Sequence, residues 1–282
     1  MKLDGETALV TGAGRGIGAA VAREFARVGA NLVLLARTRD EVERVAGEIT
    51  ARGGAAAAIA GDVSRRQDVE RAVRVALEQF GRLDALINAA GIYGPIGPLA
   101  ENGMDEWVRA IEINLLGTAF AIRAALPHML ARRKGAIINF SGGGAVSPFP
   151  CFSAYATSKA AVVRLTETVA EEVKESGVRV NAIAPGAVNT RLLDEVLAAK
   201  EHAGQEFYAR SLEQKRTGGT PPEKAAELTV FLASPEAAQV TGRLISAVWD
   251  DWKSLPERAP ELCRSAMFTL RRIDGRQFTE VR

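Results

Sequence analysis

Histidine and cysteine are nearly absent from this chain of 282 residues, which carries two of each. His128 and His202 lie far apart, with no cysteine or carboxylate at ligand spacing, so the usual zinc arrangements are excluded and no metal site is expected. Cys151 and Cys263 are too few for a disulfide framework and are expected to be free thiols. No uninterrupted apolar run approaches the roughly 18 to 20 residues of a membrane helix. No secretory apolar stretch follows Met1-Lys2, so the expectation is a cytoplasmic protein without a membrane partner. Charge of one sign is also missing. The 36 basic and 34 acidic residues are mixed along the chain and leave a formal +2, which disfavours nucleic acid as a partner.

What is present is ordinary globular material, 47% hydrophobic and 25% charged, enough for a full core. Apolar runs of strand length lie at 8–10, 31–35, 56–60, 85–88, 136–140, 179–184 and 244–248. Helical patterns at 16–29, 39–52, 66–80, 103–132, 155–176 and 222–233 separate them, and Pro127 should kink or split the fourth. Buried, non-alternating strands separated by helices predict a doubly wound α/β fold, a parallel sheet of about seven strands with helices on both faces. With no repeat and no linker, residues 1–282 read as one domain with its core at 4–248. Ligands of such sheets bind at the carboxyl ends of the strands.

Two short strings carry chemistry. Thr11-Gly-Ala-Gly-Arg-Gly-Ile-Gly18 follows an apolar run and opens into a helical pattern, which makes a glycine turn at a helix N-terminus suited to a pyrophosphate. Gly12 permits the bend, Gly16 lets the backbone approach the phosphates and Gly18 lets helix and sheet pack closely. The second string, Tyr155-Ala-Thr-Ser-Lys159, places a phenol and an ammonium four apart on one helical face. The cation is expected to lower the phenol's pKa from its ordinary value near 10 and make a proton-transfer pair.

With Asp62-Val63, Asn88-Ala-Ala-Gly91, Asn114, Asn181 and Pro185-Gly186 leading to Thr190, these strings resemble the short-chain dehydrogenase/reductase family over about residues 4–248. The resemblance implies Tyr155 as acid or base, Lys159 on the nicotinamide ribose and Asn114 as a relay beside the lysine. It also implies cofactor contacts from Gly12, Arg15, Gly16, Ile17, Gly18, Arg37, Asp62, Val63, Asn88, Gly91, Pro185, Gly186, Val188 and Thr190. The acid that would accept from a ribose 2′-hydroxyl is replaced by Ala36, and Arg15 and Arg37 could converge on a 2′-phosphate, so the expected cofactor is NADP(H). The family's serine position falls on Gly142. Ser141 could substitute, Ser153 could face the pocket, or the site could work without a serine; in that last case Gly142→Ser would restore a donor.

The implied activity is hydride transfer between the nicotinamide and a carbonyl or secondary alcohol. Alternatives are a non-oxidative epimerase or dehydratase of the same family, or a pseudo-enzyme that binds the cofactor without turnover. By resemblance, residues 191–219 form a substrate lid and the protein is a homodimer or homotetramer. Residues 249–282 extend beyond the family's simpler members. They carry Trp249, Trp252, Leu255, Leu262, Met267, Phe268 and Leu270, and are expected to fold over their own subunit rather than reach a neighbour.

Overall fold

The computed structural model describes residues 1–272. Seven strands, β1 (Thr7–Thr11), β2 (Asn31–Ala36), β3 (Ala56–Ala60), β4 (Ala85–Asn88), β5 (Gly135–Phe140), β6 (Val178–Ala184) and β7 (Leu244–Ser246), form one sheet. Its order is β3-β2-β1-β4-β5-β6-β7, and every pairing is parallel. Both faces are buried, which explains the continuous apolar runs, and the pleat sends alternate side chains to different cores. Ala8, Val10, Leu32 and Leu34 join one core with Phe25 of α1 (Gly16–Arg27) and Leu228 of α9 (Pro222–Ala233). Leu9, Val33 and Leu35 join the other with Val69 of α3 (Arg66–Phe80) and Ile122 of α5 (Gly117–Ala131). The helix α2 (Arg39–Thr50) connects β2 to β3.

Strand order reverses between β1 and β4, and such a switch point opens a crevice at the strands' carboxyl ends. The register aligns Thr11 with Asn88 and Asn88 with Asn139, so three polar residues form one row beneath it.

The fourth helical pattern runs from α4 (Met104–Ile111) through Glu112–Leu116, a π turn, into α5. Pro127, expected to kink or split this run, does not split it: α5 continues through it to Ala131. The departure from α geometry comes at Asn114, whose side chain is held from outside the helix. Met104–Ala131, though its apolar run is interrupted by Arg123, is long and apolar enough to cross a membrane by length and composition. Its apolar side chains Ala121, Ile122, Ala125 and Met129 pack on the sheet instead.

Segment 191–219 folds as α7 (Arg191–Ala199), a 3-10 turn at Lys200–Ala203 and α8 (Gln205–Thr217). The extension packs on its own subunit: Trp252 meets Phe231 at 5.2 Å between ring centroids, and Leu255 and Leu262, the latter on α10 (Ala259–Arg264), enter the first core. Leu244 of the edge strand β7 donates its N–H to the Phe268 carbonyl at 2.7 Å. Arg243 donates to the carbonyls of Ser265 and Met267 at 3.0 and 2.7 Å. Trp249 departs from the expectation that it packs. It is 86% exposed because the turn after β7, tied by Ser246 Oγ to the Val248 and Trp249 N–H groups, faces outward. The last ten residues of the extension, 273–282, lie outside the described residues.

Candidate active site

A cleft at the switch point is lined by the turn residues Gly12 to Gly18, by Ala36 and Arg37 after β2, by Asp62 and Val63 after β3, by Ala89 to Ile92 after β4, and by Asn189 to Leu192 with Glu195. The glycine turn is shaped by absent side chains. A Cβ at Gly12 would lie 2.8 Å from the Ala90 backbone, and one at Gly18 would lie 2.3 Å from the Gly12 carbonyl oxygen. Thr11 Oγ1 accepts from the N–H groups of Ala89 and Ala90 at 3.2 and 3.3 Å, tying the turn to β4. The N-terminus of α1, with no acidic residue in its first turn, faces the cleft as an anion cradle.

At the β2 end, Arg37 is exposed. Arg15 lies 3.3 Å from Glu41, a cleft-lining carboxylate from the first turn of α2. Sequence reasoning missed Glu41 because it examined only position 36; an acid in the first helical turn after the strand was the available signal. Asp62 accepts from the N–H and hydroxyl of Ser64 at 3.0 and 2.8 Å and from Arg109. Burial pushes its carboxyl up, but the Ser64 hydrogen bonds and the Arg109 charge outweigh that and hold it below the usual range.

At the other end, α6 (Ser153–Glu172) brings Tyr155 and Lys159 to one buried face. The expected pairing differs in detail. Lys159 Nζ donates to the Phe140 carbonyl at 2.7 Å and lies 5.6 Å from the centroid of the Tyr155 ring. Burial lowers the ammonium to about 8. Burial also pushes the Tyr155 phenol well above its ordinary value, with a smaller contribution from Tyr93, so in this state the lysine does not depress it. Tyr93, absent from the sequence reading although it follows the Asn88–Gly91 string, sits edge-on to Tyr155 with centroids 4.7 Å apart. Burial raises its own phenol to about 12, with a further rise from Glu195. Glu195 is half-buried in the cleft wall, and its pKa is raised by burial against the opposing charges of Arg191 and Arg15.

Asn114 links the segment after β4 to α6. Its Oδ1 accepts from the Ile92 N–H, while Nδ2 donates to the Ile92 carbonyl and to Ser158 Oγ, all at 2.9 Å. A Cβ on Gly91 would stand 3.3 Å from Asn114 Oδ1 and 3.4 Å from Lys159 Nζ, so these three residues meet. Asn88 lies under the cleft rather than in its wall, donating to Asn139 at 2.8 Å. Of the string after β6, Thr190 lines the cleft and caps α7 through Leu192 N–H at 3.3 Å. Val188 bridges to Thr220, and Gly186 packs against Val248, with Pro185 preceding it.

The three serine options separate. Ser153 Oγ accepts from Trp107 at 3.1 Å. Ser141 Oγ is buried with no hydrogen-bond partner among the described residues. Gly142 abuts the phenol, and a Cβ there would lie 2.1 Å from Tyr155 Oη. Restoring a serine at 142 therefore collides with Tyr155, which corrects the expectation that it would simply add a donor.

The sequence profile of the family described as short chain dehydrogenase matches residues 6–201. The chain belongs to the short-chain dehydrogenase/reductase family. It is 38% identical to oxidoreductase UcpA of Escherichia coli K12 over 261 residues, 91% of this chain and 97% of that protein. It is 41% identical to 3beta-hydroxysteroid dehydrogenase 1 of Eggerthella lenta over 242 residues, 85% and 91% of the two chains. The solved structure of NAD+-bound xylitol dehydrogenase superposes with a TM-score of 0.81 at 28% identity, covering 87% of this chain and 98% of that one. This family member is an oxidoreductase, its fold implies a nicotinamide cofactor, and dehydrogenases of the family act on small-molecule substrates.

Proposed function

We propose that this short-chain dehydrogenase uses NADP(H) to interconvert a ketone and a secondary alcohol, with Tyr155 as acid and base. The observation that carries the reading is the meeting of Tyr155, Lys159 and Asn114 around Gly91, which lines the cleft of the glycine cradle. The nicotinamide, when bound, supplies two-electron hydride chemistry. Gly12 to Gly18 and Thr190 would hold the cofactor's diphosphate, Asp62 and Val63 its adenine side, and Lys159 its nicotinamide ribose.

The phenol, its pKa raised further by burial, is protonated at neutral pH, the form that donates to a carbonyl oxygen. In the oxidative direction Lys159 opposes the cost of a phenolate, because a nearby cation favours the charged form. Ser141, with its unpartnered hydroxyl, serves as the second donor to the substrate oxygen in place of a residue at 142. For cofactor choice, Arg37 has an exposed guanidinium at the cleft and Ala36 carries no acid to repel a 2′-phosphate. Glu41 holds Arg15 beside it. We assign the protein to the cytoplasm, supported by two free cysteines. We read it as a homo-oligomer, supported by exposed Met104, Val108, Leu116 and Leu130 along one helical run.

The test follows absorbance of NADPH and NADH with a panel of ketones and aldehydes. Turnover with NADPH preferred, abolished in Tyr155→Phe while NADPH binding persists, is expected. A Tyr155→Phe protein with near-normal rates would remove Tyr155 from the mechanism.

A further inference from the structure

In a chain only 6% aromatic, four rings converge around the reacting tyrosine. Phe152 and Tyr155 are buried together with Val196 and Ala203 of the lid segment, apart from both cores. Tyr93 lies edge-on to Tyr155 and to Phe152, with centroids 4.7 and 4.9 Å apart. Phe149 stacks on Phe152 at 4.3 Å and 11°, and Phe207 of α8 meets both phenylalanines edge-on at 4.9 and 5.2 Å. Charged groups stand at the margin of this cluster: Lys159 Nζ lies 5.6 Å from the centroid of the Tyr155 ring and the Arg210 guanidinium 5.9 Å from that of Phe207. Two polar residues of segment 191–219 stay outside it: His202 is exposed, and Arg191 pairs at 3.7 Å with Glu195.

Phe207 is the ring that can leave. Its helix buries only Ser211 fully and is bounded by Gly204 at φ +84° and Gly218 at φ +102°, positions where glycine turns without strain. The space beside Phe149 and Phe152 is thus filled by an aromatic ring from the chain itself. A ligand ring replaces it with the same edge and stacking contacts. A carboxylate, phosphate or polyol in that place would be desolvated against rings that offer no hydrogen bond.

Resting on the oxidoreductase reading above, we propose that the substrate is an uncharged ring-bearing ketone or its alcohol. Its ring seats against Phe149 and Phe152 where Phe207 now packs, and its oxygen faces Tyr155. The two electrons exchanged are those of the nicotinamide cofactor of that reading.

Steady-state reduction of 2-tetralone, 2-butanone and D-fructose tests this, with NADPH and NADH each supplied so that cofactor choice does not enter. Calorimetric binding of 2-tetralone to the cofactor-loaded protein gives a second readout. The wild type should show a kcat/KM for 2-tetralone at least about 100-fold above the other two, given the additional apolar surface buried. Phe149→Ala should lower the tetralone to butanone ratio, and tetralone affinity, by about 10-fold, with a melting transition showing that the variant folds. Equal or better use of 2-butanone or D-fructose, or a ratio untouched by Phe149→Ala, overturns the ring assignment while leaving the oxidoreductase reading intact. No turnover of any ketone with either cofactor overturns the reading itself, and the proposal with it.

Discussion

Placing a side chain at Gly142 should damage catalysis rather than repair it. A Cβ there lies 2.1 Å from Tyr155 Oη and 2.9 Å from its ring carbon, about 1 Å or more inside ordinary van der Waals contact. The backbone is not the obstacle, since Gly142 is absent from the positive-φ positions of the chain. Either the loop or the phenol has to move, and the phenol is held: Tyr155 is 7% exposed and packed edge-on against Tyr93. A displacement of about 1 Å at the reacting group costs on the order of 100-fold in rate, or about 2.7 kcal/mol of barrier. Gly142→Ala and Gly142→Ser should both lower kcat by about that factor. Cofactor affinity should stay within a few fold, because the glycine cradle is untouched. Stopped-flow single turnovers would isolate the chemical step, fluorescence titration would report the cofactor, and a thermal melt would show that the variants fold. A Gly142→Ser enzyme with wild-type or higher kcat would refute the argument and show that the loop yields to admit the hydroxyl.

Arg37→Ala should weaken NADPH relative to NADH by about 10- to 150-fold, the worth of one charge-assisted contact; equal losses for both cofactors in titrations would withdraw the 2′-phosphate role. Lys159 falls from 10.5 to about 8 on burial. Between those values the unfolded chain holds the proton and the folded chain does not, so stability rises with pH across that window and is lowest below it. Lys159→Met, though inactive, should therefore be more stable than wild type by about 1 to 3 kcal/mol at pH 7, with the advantage gone near pH 10.5; urea melts that show no pH-dependent difference would contradict the burial argument. Trp252→Ala, which empties a site against Phe231, should cost about 3 to 5 kcal/mol, whereas Trp249→Ala at an exposed turn should shift the melting midpoint little.

The seven strands were legible because a parallel sheet covered on both faces needs continuous apolar runs, and the runs at 31–35, 56–60 and 85–88 fall within or on the observed strands. The two chemical strings were legible for a local reason as well: a glycine turn needs neighbours in sequence, and Tyr155 and Lys159 need only one turn of helix between them. Contacts set by the sheet register and by loops that return from distant elements were not legible. Glu41 reaches Arg15 only because α2 lies beside the cradle, and Lys159 finds the Phe140 carbonyl only because β5 ends beneath α6. The same holds for Gly142 against Tyr155, where a missing side chain has meaning only once the phenol occupies its place. Local spacing determined the fold class and which residue types carry the chemistry. Tertiary packing decided their protonation, the room around them and which rings surround Tyr155, because burial and contact across distant segments exist only in the folded chain.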